Sequence, residues 1–166
     1  MTENLLDDLL AGNREYAARF SLSGFDGIAH AGVAMVTCMD SRIEPLEMVG
    51  LSVGDAKIIR TPGARVTHDA LVGCILGVHL LGVDRILLVP HTRCAMATGT
   101  DEEVAQAVRD RSGVDLGDLR LGASPDQETN LASDVELLRT NPLIAGRAVV
   151  GGFRYDVDTG ELEQLI

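Results

Sequence analysis

Basic residues are the first shortage. Lysine and arginine number 14 against 25 aspartates and glutamates, a formal net charge of −11, which argues against nucleic acid or an anionic membrane as a partner. Cysteine is scarce as well. The three present are an odd number without regular disulfide spacing, so no disulfide framework is expected. The start, Met1-Thr2-Glu3-Asn4, is acidic rather than basic and does not resemble a secretory signal. A reducing, cytoplasmic location is therefore the expectation, with thiols available to metal. The longest apolar stretch, residues 70–83, is too short to cross a bilayer and is closed by Asp84-Arg85. No glycine-rich phosphate loop follows the first predicted strand, which argues against nucleotide binding. Aromatic residues make up only 3%, and tryptophan is absent.

What is present is aliphatic. Hydrophobic residues make up 46% of 166 positions, enough for one domain, residues 1–166, with a core that needs no staples. Residues 3–20 carry Leu5, Leu6, Leu9, Leu10, Tyr16, Ala17 and Phe20 at helical spacing, an N-terminal helix (within residues 1–20) expected to pack on the core or on a second subunit. Strands are predicted over 33–37, 55–60, 85–89 and 148–155, and helices over 66–82, 101–110 and 126–140. Asp158-Thr159-Gly160 turns the chain into a last short strand, 161–166. Strands separated by helices imply an α/β fold, a mainly parallel central sheet flanked by helices, with an antiparallel C-terminal edge strand.

The chemistry gathers at the ends of two predicted strands. After the run 33–37, Cys38, Asp40 and Arg42 follow at alternate positions, which points them the same way if the backbone stays extended. After the run 85–89, His91 and Cys94 have the short spacing with which one turn grips a metal ion. Cys38, His91 and Cys94 together make three protein ligands for a tetrahedral zinc, leaving one position for Asp40 or for water. Zinc lowers the pKa of bound water to about 7 in favourable sites. Asp40 then accepts the proton of the bound hydroxide, and Arg42 keeps Asp40 ionised and in place. The remaining candidates read as ordinary: Cys74 as a small core residue, His79 as a satisfied interior or edge histidine, His30 as a surface histidine. A cysteine-based phosphatase would need arginine six positions after Cys38, where Glu44 stands.

Cys38-Met39-Asp40-Ser41-Arg42 followed by His91-Thr92-Arg93-Cys94 resembles the signature of the β-class carbonic anhydrases, and the similarity runs over residues 33–96 through Lys57-Ile58-Ile59-Arg60 and the Gly63 turn. The resemblance implies a β-carbonic anhydrase-like fold that works as a homodimer or higher oligomer. It implies zinc on Cys38, His91 and Cys94, with Asp40 and Arg42 as the catalytic dyad. The implied reaction is reversible hydration of carbon dioxide to bicarbonate and a proton by zinc-bound hydroxide. Carbon disulfide or carbonyl sulfide hydrolysis uses the same ligands in close relatives, and a non-catalytic zinc-binding domain is the third reading. Val66 and Leu71 are candidate pocket walls, and His68 is the candidate proton shuttle. Two departures are visible: Thr61-Pro62-Gly63-Ala64 stands where the family commonly has Asn-Ala-Gly-Gly, and Ala95 where a glycine usually follows the last ligand. Without tryptophan, the anion-binding regulatory pocket of some members has no obvious counterpart.

Overall fold

A computed structural model describes residues 5–166. The elements in order are α1 (Asp7–Ala18), β1 (Val33–Cys38), β2 (Ala56–Thr61), α2 (His68–Leu80), β3 (Arg85–Val89), α3 (Asp101–Ser112), α4 (Gln127–Thr140), β4 (Val149–Tyr155) and β5 (Leu162–Gln164). The sheet runs β2-β1-β3-β4-β5. The first four strands are parallel and β5 pairs antiparallel with β4, as the terminal hairpin predicts.

β1 sits inside the sheet, and all six of its residues are buried. An uninterrupted apolar run suits such a strand, because neighbours cover both its edges and its faces. Its register with β3 puts Ala34 beside Ile86 and Val36 beside Leu88. Those four side chains form one face of the sheet, and they share a cluster with Ala70 and Cys74 of α2 and with Leu131, Val135 and Leu138 of α4. One face thus carries both helices. α2 approaches closely enough that a Cβ at Gly73 would lie 2.8 Å from the Cδ1 of Ile59, which is the tight packing the small residues of this helix suggest.

Local signals fix the helix ends. Thr67 caps α2 by accepting from the Ala70 N–H. Thr100 and Glu103 form a reciprocal capping box on α3, which closes at the left-handed Gly113. Asp126 caps α4 through the Thr129 N–H. The predicted helix over 66–82 is shorter than expected at both ends, because Thr67 takes the cap and Leu81 leaves helical geometry. The segment 43–51 contains one short 3-10 turn, Glu47–Val49.

α1 begins later than its sequence pattern, at Asp7, with residues 1–4 outside the described part. None of its residues is buried, and Leu9 is 66% exposed. Its apolar stripe does not pack on the core of its own chain.

Candidate metal centre and active site

The site lies beyond the carboxyl ends of β1 and β3, where open α/β sheets hold their ligands. Thr37 and Val89 are register partners, and the buried Thr37 hydroxyl also donates to the Val89 carbonyl at 2.9 Å. That pairing brings Cys38, the last residue of β1, beside the segment that carries His91 and Cys94. One ligand atom from each of Cys38, His91 and Cys94 lies within 4.8 Å of the others, and all three residues are buried. The two sulfurs are 3.9 Å apart. A tetrahedral zinc with Zn–S bonds near 2.3 Å sets two sulfurs roughly 3.8 Å apart. The spacing suits the ion.

His91 has the stronger signature. Its Nδ1 lies 2.8 Å from the Thr92 carbonyl oxygen, which only accepts, so Nδ1 carries the proton of the neutral ring. Nε2 is left as the acceptor. It is fully buried and has no hydrogen-bond partner. An orphaned lone pair in a dry site is costly unless something binds it, and a histidine oriented through its other nitrogen is the usual metal ligand.

The ordinary ionisation of this group is disturbed. The Cys94 thiol donates to Cys38; His91 and the backbone N–H groups of Asp40 and Gly63 also favour the thiolate. Together they outweigh burial and hold Cys38 down at about 4. Cys94 moves the other way, first because its proton is held in the hydrogen bond it donates to Cys38 and then because it is buried. Burial alone would depress His91, but the neighbouring Cys38 sulfur, with Asp40 adding its charge, lifts it above its usual value. Cys74 provides the contrast. Buried in α2 without any such partner, its thiol is pushed up to about 11 by desolvation.

Asp40 and Arg42 pair through two parallel hydrogen bonds, Nε to Oδ1 at 2.9 Å and Nη2 to Oδ2 at 2.7 Å. The backbone differs from the extended geometry that the alternate spacing suggests. The Arg42 N–H folds back to Asp40 Oδ1 at 3.0 Å and the Ile43 N–H to the Asp40 carbonyl at 3.2 Å, a turn built on the aspartate side chain. The three side chains still converge, by the turn rather than by strand alternation. The Arg42 guanidinium, and then the Arg42 N–H, hold the Asp40 carboxyl well below the usual carboxylate range. Asp40 Oδ2 lies 3.8 Å from His91 Nε2, at the rim of the ligand cluster.

Two further contacts tie the halves together. Arg42 Nη2 reaches the Arg93 carbonyl at 3.3 Å, and Arg93 has a left-handed φ of 54° that folds the segment between His91 and Cys94. Arg60 of β2 donates to the Cys38 carbonyl at 2.9 Å and also to that of Asp40. A cavity of about 430 Å³ opens over the site, with Met39, Pro62, Ala95 and Met96 as its apolar lining beside Cys38, Asp40 and Arg42. Val66, just before α2, and Leu71 on it do not line it; both pack against the main core. His68 is exposed on the first turn of α2 and does not line the cavity either. His30 is exposed and paired with Asp26, and His79 bonds the Leu143 carbonyl at an exposed edge.

Arg65, Gln127 and Asp134 escape the sequence reading. Arg65 and Asp134 form a two-point ion pair at 2.7 and 3.1 Å, and Gln127 donates to the His91 carbonyl at 3.2 Å. The available signal is an aspartate set among Leu131, Val135 and Leu138, the buried face of α4.

Fold and site define a class. The chain belongs to the carbonic anhydrase family, whose model matches residues 33–162, and within it to the β class. It is 34% identical to beta-carbonic anhydrase 1 of Mycobacterium tuberculosis over 167 residues, covering 96% of each chain. The crystal structure of carbonic anhydrase from Streptococcus mutans superimposes with a TM-score of 0.89 at 32% identity, over 100% of both chains. Similarity also extends to carbon disulfide hydrolase of Acidithiobacillus thiooxidans, 28% identical over 145 residues, 75% of this chain and 72% of that one. No helix among the described residues is long and apolar enough to cross a membrane.

Proposed function

We propose that Cys38, His91 and Cys94 hold zinc and that the chain catalyses the reversible hydration of carbon dioxide to bicarbonate and a proton. The observation that carries this reading is the buried, unpartnered His91 Nε2 beside two thiol groups, with the Asp40–Arg42 pair at its rim. Zinc bound there would supply a water activated near neutral pH as the nucleophile. Asp40, kept ionised by Arg42, only accepts hydrogen bonds, so it fixes the orientation of a hydroxyl beside it and leaves that oxygen's lone pair facing the cavity. Met39, Pro62, Ala95 and Met96 give a small apolar substrate a wall without competing charge. Arg42 is already committed to Asp40, so it positions rather than grips the anionic product. The exported proton passes from the open cavity to buffer.

The similarity to carbon disulfide hydrolase supports a second reading, hydrolysis of carbon disulfide at the same cavity. Stopped-flow carbon dioxide hydration and sulfide release from carbon disulfide, measured on wild type and Asp40→Ala with zinc content determined in parallel, test both. Hydration by zinc-loaded wild type, lost in Asp40→Ala with zinc retained, is the expected result. Sulfide release without hydration would replace the first reading by the second, and neither activity in zinc-loaded protein would overturn both.

The apolar stripe of α1 belongs to the same proposal. Leu5 and Leu6 just before α1, and Leu9 and Leu10 on it, are exposed, and the helix buries nothing; an exposed apolar face of this kind suits a second copy of the chain. A homodimer or higher oligomer is the proposed working form.

A further inference from the structure

Two segments bring the proposed metal ligands together, and one helix touches the second of them and the residues that follow the turn packed on the first. Gln127 and Asp134 are seven residues apart on α4 and so share a face, with Leu131 between them. At one end, the Gln127 side-chain amide donates to the His91 carbonyl at 3.2 Å. At the other, Asp134, only 6% exposed, accepts from Arg65 Nε at 2.7 Å, from Arg65 Nη2 at 3.1 Å and from the Val66 N–H at 3.0 Å. Those donors stand just past the turn Pro62–Ala64, whose Ala64 packs in one buried cluster with Cys38. A small cavity of about 20 Å³ separates Gly63, Pro90 and Met96 on the site side from Gln127, Leu131 and Asp134 on the helix side.

The turn needs holding. Gly63 and Ala64 are both left-handed, with φ of 67° and 60°. Glycine accepts that conformation freely, whereas alanine is strained in it and persists only where surroundings impose it. Ala64 is buried against Cys38, Ile43 and Cys94. The Thr61 hydroxyl fastens one side of the turn by donating to the Arg65 carbonyl at 2.8 Å. The Arg65–Asp134 pair fastens the other.

We propose that α4 braces the metal centre from behind: Asp134, through Arg65, positions the Pro62–Ala64 turn against Cys38, and Gln127 positions the main chain of His91. Both are positioning residues, since neither touches the reacting atoms. The proposal rests on the metal reading above for its consequence but on the metal-free chain for its geometry, and the test separates the two. Asp134→Asn and Gln127→Glu are compared with wild type by zinc competition against a chromophoric chelator and by the thiolate-to-metal charge-transfer band of cobalt-loaded protein. Hydrogen exchange of the metal-free chains is followed in segments 60–66 and 90–94. Asp134→Asn is expected to weaken zinc about tenfold and shift the cobalt band. It should also speed exchange in 60–66, whereas Gln127→Glu speeds it in 90–94 with a smaller loss of zinc. Adding Ala64→Gly, which relieves the left-handed strain, should restore part of what Asp134→Asn loses. Should Asp134→Asn fail to fold, Arg65→Lys removes the two-point geometry while keeping the charge, and the same band shift is expected. Unchanged affinity, band and exchange in folded variants would overturn the brace. A wild type that takes up no metal would overturn the metal reading, and exchange in the two segments would then decide the brace by itself.

Discussion

Two buried clusters contain cysteine, and they are built differently. The larger one lies under α2 and α4, where Cys74 is packed among Ala34, Val36, Leu88 and Leu138. The smaller one gathers Cys38, Cys94, Ile43 and Ala64 at the strand ends. Apolar area holds the first, and its thiol has nothing to bond. Hydrogen bonds and charges hold the second: Asp40 with Arg42, Arg60 on two carbonyls, Arg65 with Asp134. The same side chain is thus a small hydrophobe in one place and a proposed sulfur ligand in the other. Surroundings decide which.

The largest effects should come from exchanging damage between the clusters. His91→Ala is expected to weaken zinc by more than about 100-fold while leaving thermal stability of the metal-free chain near wild type, measured by chelator competition and melting. Leu138→Ala should do the reverse, costing about 2–5 kcal/mol in urea unfolding with zinc affinity retained. Equal losses of both properties in both variants would merge the clusters into one. Asp40→Asn comes next. It keeps the shape but removes the charge that Arg42 holds, and hydration should fall roughly 100- to 10,000-fold with zinc retained.

The pH dependence of that pair has a definite sign. Because Arg42 depresses the folded-state ionisation of Asp40, the pair's contribution to stability is present above the ordinary carboxylate range and is lost only as pH falls through and below it. Stability difference between wild type and Asp40→Asn should therefore be flat from pH 6 to 9 and shrink below about pH 4. A difference that shrinks as pH rises would contradict the assignment. The thiols sharpen the comparison further. In metal-free protein, Cys38 at about 4 should react with iodoacetamide at a rate nearly level from pH 6 to 8, while Cys74 at about 11 stays unreacted there. Mass spectrometry of the alkylated peptides reads both. The smallest expected change to chemistry is at α1: Leu9→Glu should shift sedimentation toward monomer and leave the ligand cluster intact.

Much of this was legible in the chain. The strands β1 and β3, and the grouping of Cys38, His91 and Cys94 at their carboxyl ends, follow from apolar runs and spacing, with β1 running one residue further than expected, to Cys38; a buried parallel strand has a one-dimensional signature. The terminal hairpin follows from Asp158-Thr159-Gly160. The turn at Asp40 was not legible, since its side chain replaces strand geometry with a local bond that alternation does not reveal. Val66 and Leu71 look like pocket walls in sequence, but the lead-in to α2 and the helix itself place them against the core. Gln127 and Asp134 lie far from the motif, and only the packing of α4 against two loops gives them meaning. The outward face of α1 is equally silent, because an amphipathic pattern says that a face needs covering and not by what.

The separation of 56 positions between Cys38 and Cys94 sets the order of events when the chain is made. Neither sulfur has a partner until β1 and β3 lie side by side, and that parallel pairing waits on the crossover through β2 and α2. Long-range pairings of this kind close late, after local helices have formed. The nascent chain therefore has no preformed cradle for an ion, and the proposed metal centre would be complete only once the sheet has found its register.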